Sequence, residues 1–249
     1  PVLEVEGLDV VRGSLWVVRD VSLLLAPGEV LALLGGPAAG KSVFLEALAL
    51  GEGVRAGCIR LAGRTITRAT PLQRRHAGLA CAFADPPVVP GFAVADQVAL
   101  GASAEARGRE RMQQLVRMLP ELLPLWRCRL EALPLWARRL ADLGRALMAA
   151  SKVLLIDRPV ADFGEQRLRR LLPQLRAQGV AVLLADRQMR PLLQLADRAI
   201  VLIGGQIACE GPPCELLADE RVIAACLGDR LSAEAFADSA RKATARTPA

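Results

Sequence analysis

The chain has 249 residues, 53% of them hydrophobic and 23% charged, with 32 Lys and Arg against 26 Asp and Glu for a formal net charge of +6. That length suits one large domain, or a domain carrying a subdomain, and no charge-free apolar stretch approaches the ~18–20 residues of a membrane span. The single histidine, His76, nearly excludes a histidine-based triad, and six cysteines (58, 81, 128, 209, 214 and 226) without C-x-x-C spacing argue against zinc and for reduced thiols in a core.

Taken in chain order, Pro1-Val2-Leu3-Glu4-Val5 alternates like a strand rather than a leader, which points to a cytoplasmic protein. Residues 2–6 and 15–24 are expected to pair antiparallel across a turn at Arg12-Gly13-Ser14. A second turn, Ala26-Pro27-Gly28-Glu29, leads into the apolar run 30–34. Residues 35–42 then read Gly35-Gly36-Pro37-Ala38-Ala39-Gly40-Lys41-Ser42, a full match to G-x-x-x-x-G-K-[ST], and a helix-favouring segment, 43–50, follows. The glycines let successive backbone N–H groups turn toward a phosphate at the positive end of a helix. Lys41 can reach the β- and γ-phosphates, and the Ser42 hydroxyl can ligate Mg²⁺.

Residues 57–64 suggest a short strand and turn, after which the pattern from 92 to about 150 becomes helical. Amphipathic spacing covers 94–100 and 112–119, cut by prolines at 120, 124 and 134. Residues 152–157 form an apolar strand ending in Asp157, the candidate acid for the magnesium water shell. A helix over 165–178, a buried strand over 180–185 and a hairpin of 198–202 with 206–209 around Gly204-Gly205 complete the pattern. Alternating strands and helices imply a parallel sheet with right-handed crossovers, interrupted by a helical subdomain at about 86–150. Residues 1–228 are expected to form one nucleotide-binding domain, and 229–249 a loose or marginally helical tail. Basic clusters at Arg107, Arg109 and Arg111, at Arg138-Arg139, and at Arg167, Arg169 and Arg170 read first as solvated helix faces and second as surfaces for anionic lipid or nucleic acid.

The chain resembles the nucleotide-binding subunit of an ABC transporter, particularly of the branched-chain amino acid and urea import type. The resemblance covers about residues 2–228. It is carried by Val21-Ser22, Pro27-Gly28-Glu29, the phosphate loop, Gly144-Arg145-Ala146-Leu147-Met148, Asp157, Pro159-Val160-Ala161, Ala196-Asp197-Arg198-Ala199 and Leu227-Gly228. It implies an α/β P-loop NTPase fold with a mainly parallel core sheet, an N-terminal antiparallel β subdomain and a helical subdomain. It also implies ATP with Mg²⁺ as ligand, held by Gly35, Gly36, Pro37, Ala38, Ala39, Gly40, Lys41, Ser42 and Val43, with Ser42 and Asp157 at the metal. Transmembrane permease subunits and a second nucleotide-binding subunit, in a homodimer or heterodimer, are the implied partners. The implied location is the inner face of the cell membrane.

Carried over by position, the sequence departs from that family at most of the γ-phosphate surroundings. The signature slot reads Leu133-Pro134-Leu135-Trp136-Ala137, where Pro134 offers neither N–H nor hydroxyl. Arg158 fills the slot of the catalytic base and cannot accept a proton from water. Ala84, between Phe83 and Asp85, fills the Q-loop slot, and Arg187 fills the H-loop slot. Arg12 stands where adenine stacks on an aromatic, leaving a cation–π contact or a shifted Trp16 as substitute. Ala38 replaces a usual glycine; if that site needs a positive φ, the alanine costs about 1–2 kcal/mol. No catalytic residue is therefore intact. The expectation is a subunit that binds ATP–Mg²⁺, hydrolyses it weakly or not at all and serves a structural or regulatory role. The alternative is an active ATPase energising import of branched-chain amino acids, urea or a related solute, with Asp85, Asp186 or a partner residue substituting. A third reading, an ATP-dependent switch on nucleic acid or another protein, lacks any added binding module, and no nucleic acid is expected.

Overall fold

The computed structural model describes residues 1–102, 108–150, 152–219 and 222–223. Arg107, the side chain of Arg109, Cys226, the Leu227-Gly228 pair and the tail at 229–249 lie outside the described residues.

Two sheets organise the described chain. The first is antiparallel, in the order β2-β1-β4-β5, from β1 (Leu3–Arg12), β2 (Leu15–Leu25), β4 (Val54–Leu61) and the short β5 (Arg64–Thr65). The second runs β10-β9-β3-β8-β7-β6, from β3 (Val30–Leu34), β6 (Leu79–Ala82), β7 (Val153–Asp157), β8 (Ala181–Ala185), β9 (Arg198–Ile203) and β10 (Gln206–Gly211). All its pairings are parallel except that of the edge strand β10 with β9. This is the α/β P-loop NTPase architecture expected from the sequence, with a mainly parallel core sheet beside an antiparallel N-terminal sheet.

The parallel strands are buried on both faces, which accounts for their unbroken apolar runs. Their alternate residues enter two different cores, as a side-chain period of two requires. Leu31 and Leu33 of β3, Val153 and Leu155 of β7, and Leu183 of β8 pack with β1, β2 and α1 (Lys41–Leu50). Ala32 and Leu34, Leu154 and Ile156, and Val182 and Leu184 pack on the opposite face. That face meets α3 (Val94–Ala99), α4 (Gly108–Met118), α5 (Leu135–Ala149), α7 (Glu165–Ala177), α8 (Met189–Leu193) and α9 (Pro213–Ala218).

Several local details differ from the sequence expectation. β1 continues past residue 6 because Gly7, at φ 54, donates its amide to the Ser22 hydroxyl at 2.8 Å and lets the pairing bulge. The helical stretch from 92 to 150 is broken into α3, α4, two 3₁₀ turns (Pro120–Leu125 and Leu130–Ala132) and α5, which Pro134 precedes as N-cap. β6 was not expected, and neither was α2 (Pro71–Ala77), which Thr70 and Gln73 start with a reciprocal capping box. The cysteines do not form a set of core thiols. All five described are free, but only Cys81 is buried, whereas Cys58, Cys128 and Cys209 are half-buried and Cys214 is exposed. Cys58 and Cys209 lie on the incompletely covered strands β4 and β10, which explains the difference.

Candidate functional site

The loop over 35–40 turns the chain from β3 into α1, and three of its residues hold a positive φ: Gly35 (150°), Ala38 (60°) and Gly40 (96°). At two of them glycine is also demanded by space. A Cβ on Gly35 would lie 2.3 Å from the Leu202 carbonyl oxygen, and one on Gly40 2.9 Å from that of Val17. Ala38 meets the positive-φ condition set by the sequence comparison, and its side chain is exposed. Lys41 is buried, its ammonium donating to the carbonyls of Gly35 (2.7 Å) and Gly36 (3.0 Å).

A cavity of about 770 Å³ opens over this loop. Residues 36–43 line it together with Arg12, Trp16, Asp157, Arg158, Asp186 and Arg187. Gly35 lies behind the lining and reaches it through the carbonyl that Lys41 holds. Asp157 ends β7, is 6% exposed and hydrogen-bonds with the Ser42 side chain. Burial raises its carboxyl above the usual range, while Ser42, Lys41 and Arg158 pull it back and Asp186 pushes it further up. A desolvated carboxylate beside a hydroxyl, at the mouth of a loop rich in N–H donors, fits a phosphate-bound divalent cation. The cradle therefore suits a nucleotide polyphosphate with Mg²⁺.

Two residues on the far wall come from neighbouring strand ends. Arg158 follows Asp157 in the left-handed region (φ 55, ψ 44), and its amide donates to the Ala185 carbonyl at 2.7 Å. Arg187 follows Asp186, and both arginine side chains are exposed at the cavity. Asp186, 3% exposed, is fully engaged: one carboxylate oxygen accepts from the amides of Val160 (2.9 Å) and Ala161 (3.2 Å), the other from those of Arg187 (2.7 Å) and Gln188 (3.2 Å). It thereby pins the first turn of α6 (Pro159–Phe163) to the loop after β8. Nothing local in the sequence signals that brace, because the paired segments lie 25 and 26 residues apart.

Other expected positions lie elsewhere. Ala84 is absent from the cavity wall; its carbonyl accepts from the Arg139 guanidinium of α5 at 2.6 Å, and the Phe83 amide donates to Asp142 at 2.9 Å. Asp85 is exposed and also outside the lining. Arg12 is tied to Glu46 of α1 at 2.9 Å, which leaves Trp16, 51% exposed, as the aromatic face over the cavity. Leu135 and Trp136, at the start of α5, are 46% and 54% exposed and line no part of it.

Comparison with known proteins shows the family and the fold. The family profile "ABC transporter" matches residues 18–161. The chain is 34% identical, over 86% of its length and 91% of the relative's, to the lipopolysaccharide export system ATP-binding protein LptB of Acidithiobacillus ferridurans. It is 28% identical, over 87% and 95%, to the high-affinity branched-chain amino acid transport ATP-binding protein BraG of Pseudomonas aeruginosa. A ribose import ATP-binding protein of Escherichia coli O157:H7 is 27% identical over 83% of the chain, which spans only 42% of that relative's length. Among solved structures, an ATP-binding cassette of an ABC transporter superposes with a TM-score of 0.77 at 21% identity, covering 91% of this chain and 99% of the other, a likeness of fold.

Proposed function

The chain belongs to the ABC transporter family as a nucleotide-binding subunit, and on that premise we propose that it binds ATP with Mg²⁺ but turns it over weakly or not at all, in a structural or regulatory role. The observation that carries this reading is the wall opposite the phosphate loop. The residue after Asp157 is Arg158, a permanent cation unable to take a proton from water. The nearest alternative, Asp186, has both carboxylate oxygens committed to backbone amides. A general base contributes typically about 10²–10⁴-fold, so its loss alone lowers turnover by that order.

Residues 35–43 would cradle the phosphates, with Ser42 and Asp157 holding the metal, which when bound neutralises charge on the β- and γ-phosphates. The unit would span about residues 1–228, its helical part about 86–150 facing permease subunits at the inner face of the membrane. Among the described residues no helix is long and apolar enough to cross a membrane. A second nucleotide-binding subunit would complete each site, and its signature could cover this chain's phosphate loop. In return this chain offers Pro134-Leu135-Trp136, which supplies neither the hydroxyl nor the bare backbone the partner's ATP needs. The names of relatives at similar identity span lipopolysaccharide export, ribose import and branched-chain amino acid transport, so ATP binding rather than one cargo is the common ground.

The test is nucleotide binding by calorimetry beside phosphate release, on wild type, Lys41→Ala and Arg158→Glu, with an intact family ATPase run in parallel. Binding that Lys41→Ala removes, with turnover at least ~10²-fold below the comparator, is the expected result. Turnover at the comparator's rate that Lys41→Ala abolishes would sink the reading.

A further inference from the structure

We propose that Arg158 and Arg187 form, with Lys41, a cationic clamp that retains nucleoside triphosphate through the charge of its terminal phosphate. The clamp rests on the nucleotide-binding reading above and adds a selectivity to it, for triphosphate over diphosphate.

Both arginines line the cavity over the phosphate loop. Among the described residues, neither guanidinium makes a hydrogen bond or a close ion pair, whereas Arg12 of the same lining and Arg139 and Arg145 of α5 are engaged. Arg139 pairs with Asp162, Arg145 with Asp142, and Arg12 with Glu46. The nearby carboxylates direct their hydrogen bonds elsewhere, Asp157 to Ser42, Asp186 to four amides and Glu46 to Arg12, so Arg158 feels Asp157 and Asp162 only through space. Lys41 adds a third cation on the loop side. The lining thus holds four cations, Arg12, Lys41, Arg158 and Arg187, against two carboxylates, Asp157 and Asp186, a positive balance above a phosphate cradle, and a planar guanidinium donates to two phosphate oxygens at once.

The backbone beneath both residues is held firmly. Asp186 accepts from Arg187 on one side and from Val160 and Ala161, just beyond Arg158, on the other. Arg158 stays in the left-handed region, a strained conformation for a residue with a Cβ, because the Ala185 carbonyl and the Asp186 bracket fix it there. A bracket that aims two free cations into one cavity is preorganised for an anion carrying more charge than a diphosphate.

The experiment measures dissociation constants for ATP and ADP, with Mg²⁺ and with EDTA, across a salt series. The variants are Arg158→Gly, Arg187→Gln and the double change. Glycine at 158 suits the observed φ, so that variant should fold at least as well as wild type. Each single change is expected to weaken ATP about 5–20-fold and ADP less than about 3-fold, the double change bringing the two affinities together and flattening the salt dependence. Thermal melting reports folding separately, and Arg187→Lys, which keeps the charge, should retain most of the preference. An ATP-to-ADP ratio in the double variant equal to that of wild type would overturn the clamp alone. Wild-type protein that binds neither nucleotide would overturn the clamp together with the nucleotide-binding reading.

Discussion

Ala38 sits at φ 60 on the exposed shoulder of the phosphate loop, where a methyl group packs against little and strains the backbone. Alanine there costs about 1 kcal/mol relative to a relaxed conformation, and glycine relieves it at the expense of a more flexible unfolded chain. Ala38→Gly is therefore expected to raise the melting temperature by roughly 1–3 °C for a chain of this size, without weakening nucleotide binding. A lower melting temperature would mean that the methyl group makes contacts outweighing the strain. The turn itself was readable from the sequence because its glycines answer a local demand, a positive φ at Gly35 and Gly40 where a Cβ has no room. The cysteines were not readable in this way. Whether a thiol is buried depends on which strand face is covered, and Cys58 and Cys209 fall on strands whose cover is incomplete.

At the scale of elements, two buried charged residues tie segments together that the sequence leaves apart. Arg74 of α2 is fully buried and lies over the C-terminal end of α1, donating to the carbonyls of Ala47 (3.2 Å) and Leu48 (2.7 Å) as well as Thr67 (2.6 Å) and Ala69 (3.0 Å). Its burial lowers the pKa of the guanidinium from the ordinary arginine value, and the helix C-terminal carbonyls favour a cation there. Arg74→Ala would strand those acceptors and destabilise by about 2–4 kcal/mol in a denaturant titration; a loss under about 1 kcal/mol would show the carbonyls satisfied otherwise. Asp186 plays the corresponding part between α6 and the loop after β8. Asp186→Asn keeps the shape but turns half of its acceptors into a donor facing amides. It is expected to cost about 1–3 kcal/mol and to reduce ATP affinity through misplacement of both arginines. Unchanged ATP binding in a folded Asp186→Asn protein would separate the bracket from the site. Neither tie was visible beforehand, since both join residues through backbone groups, which carry no sequence signature.

For the whole molecule, the fold was largely legible. β3, β7 and β8 announced themselves as apolar runs, and the hairpin around Gly204-Gly205 as two runs flanking a turn. β6 escaped because Leu79-Ala80-Cys81-Ala82 is four residues long and contains no β-branched side chain; its partner β7 defines it more than its own composition does. The sequence-expected residues 36–43, Asp157, Arg158 and Arg187 do line one cavity. The placement of Ala84 away from the cavity was not legible, because the Arg139 and Asp142 contacts that draw it toward α5 come from more than fifty residues downstream.

The sheet order β3-β8-β7 has one further consequence. Position in that sheet is specified by apolar residues inside the strands, while the residues facing the cavity stand at or just past the strand ends. Scaffold and chemistry are thus written in separate alphabets at neighbouring addresses. Substitution at the second can change the cavity wall while every line of the first stays intact. A change at an exposed wall residue such as Arg158 or Arg187 is then expected to alter what the cavity does with little effect on a melting curve.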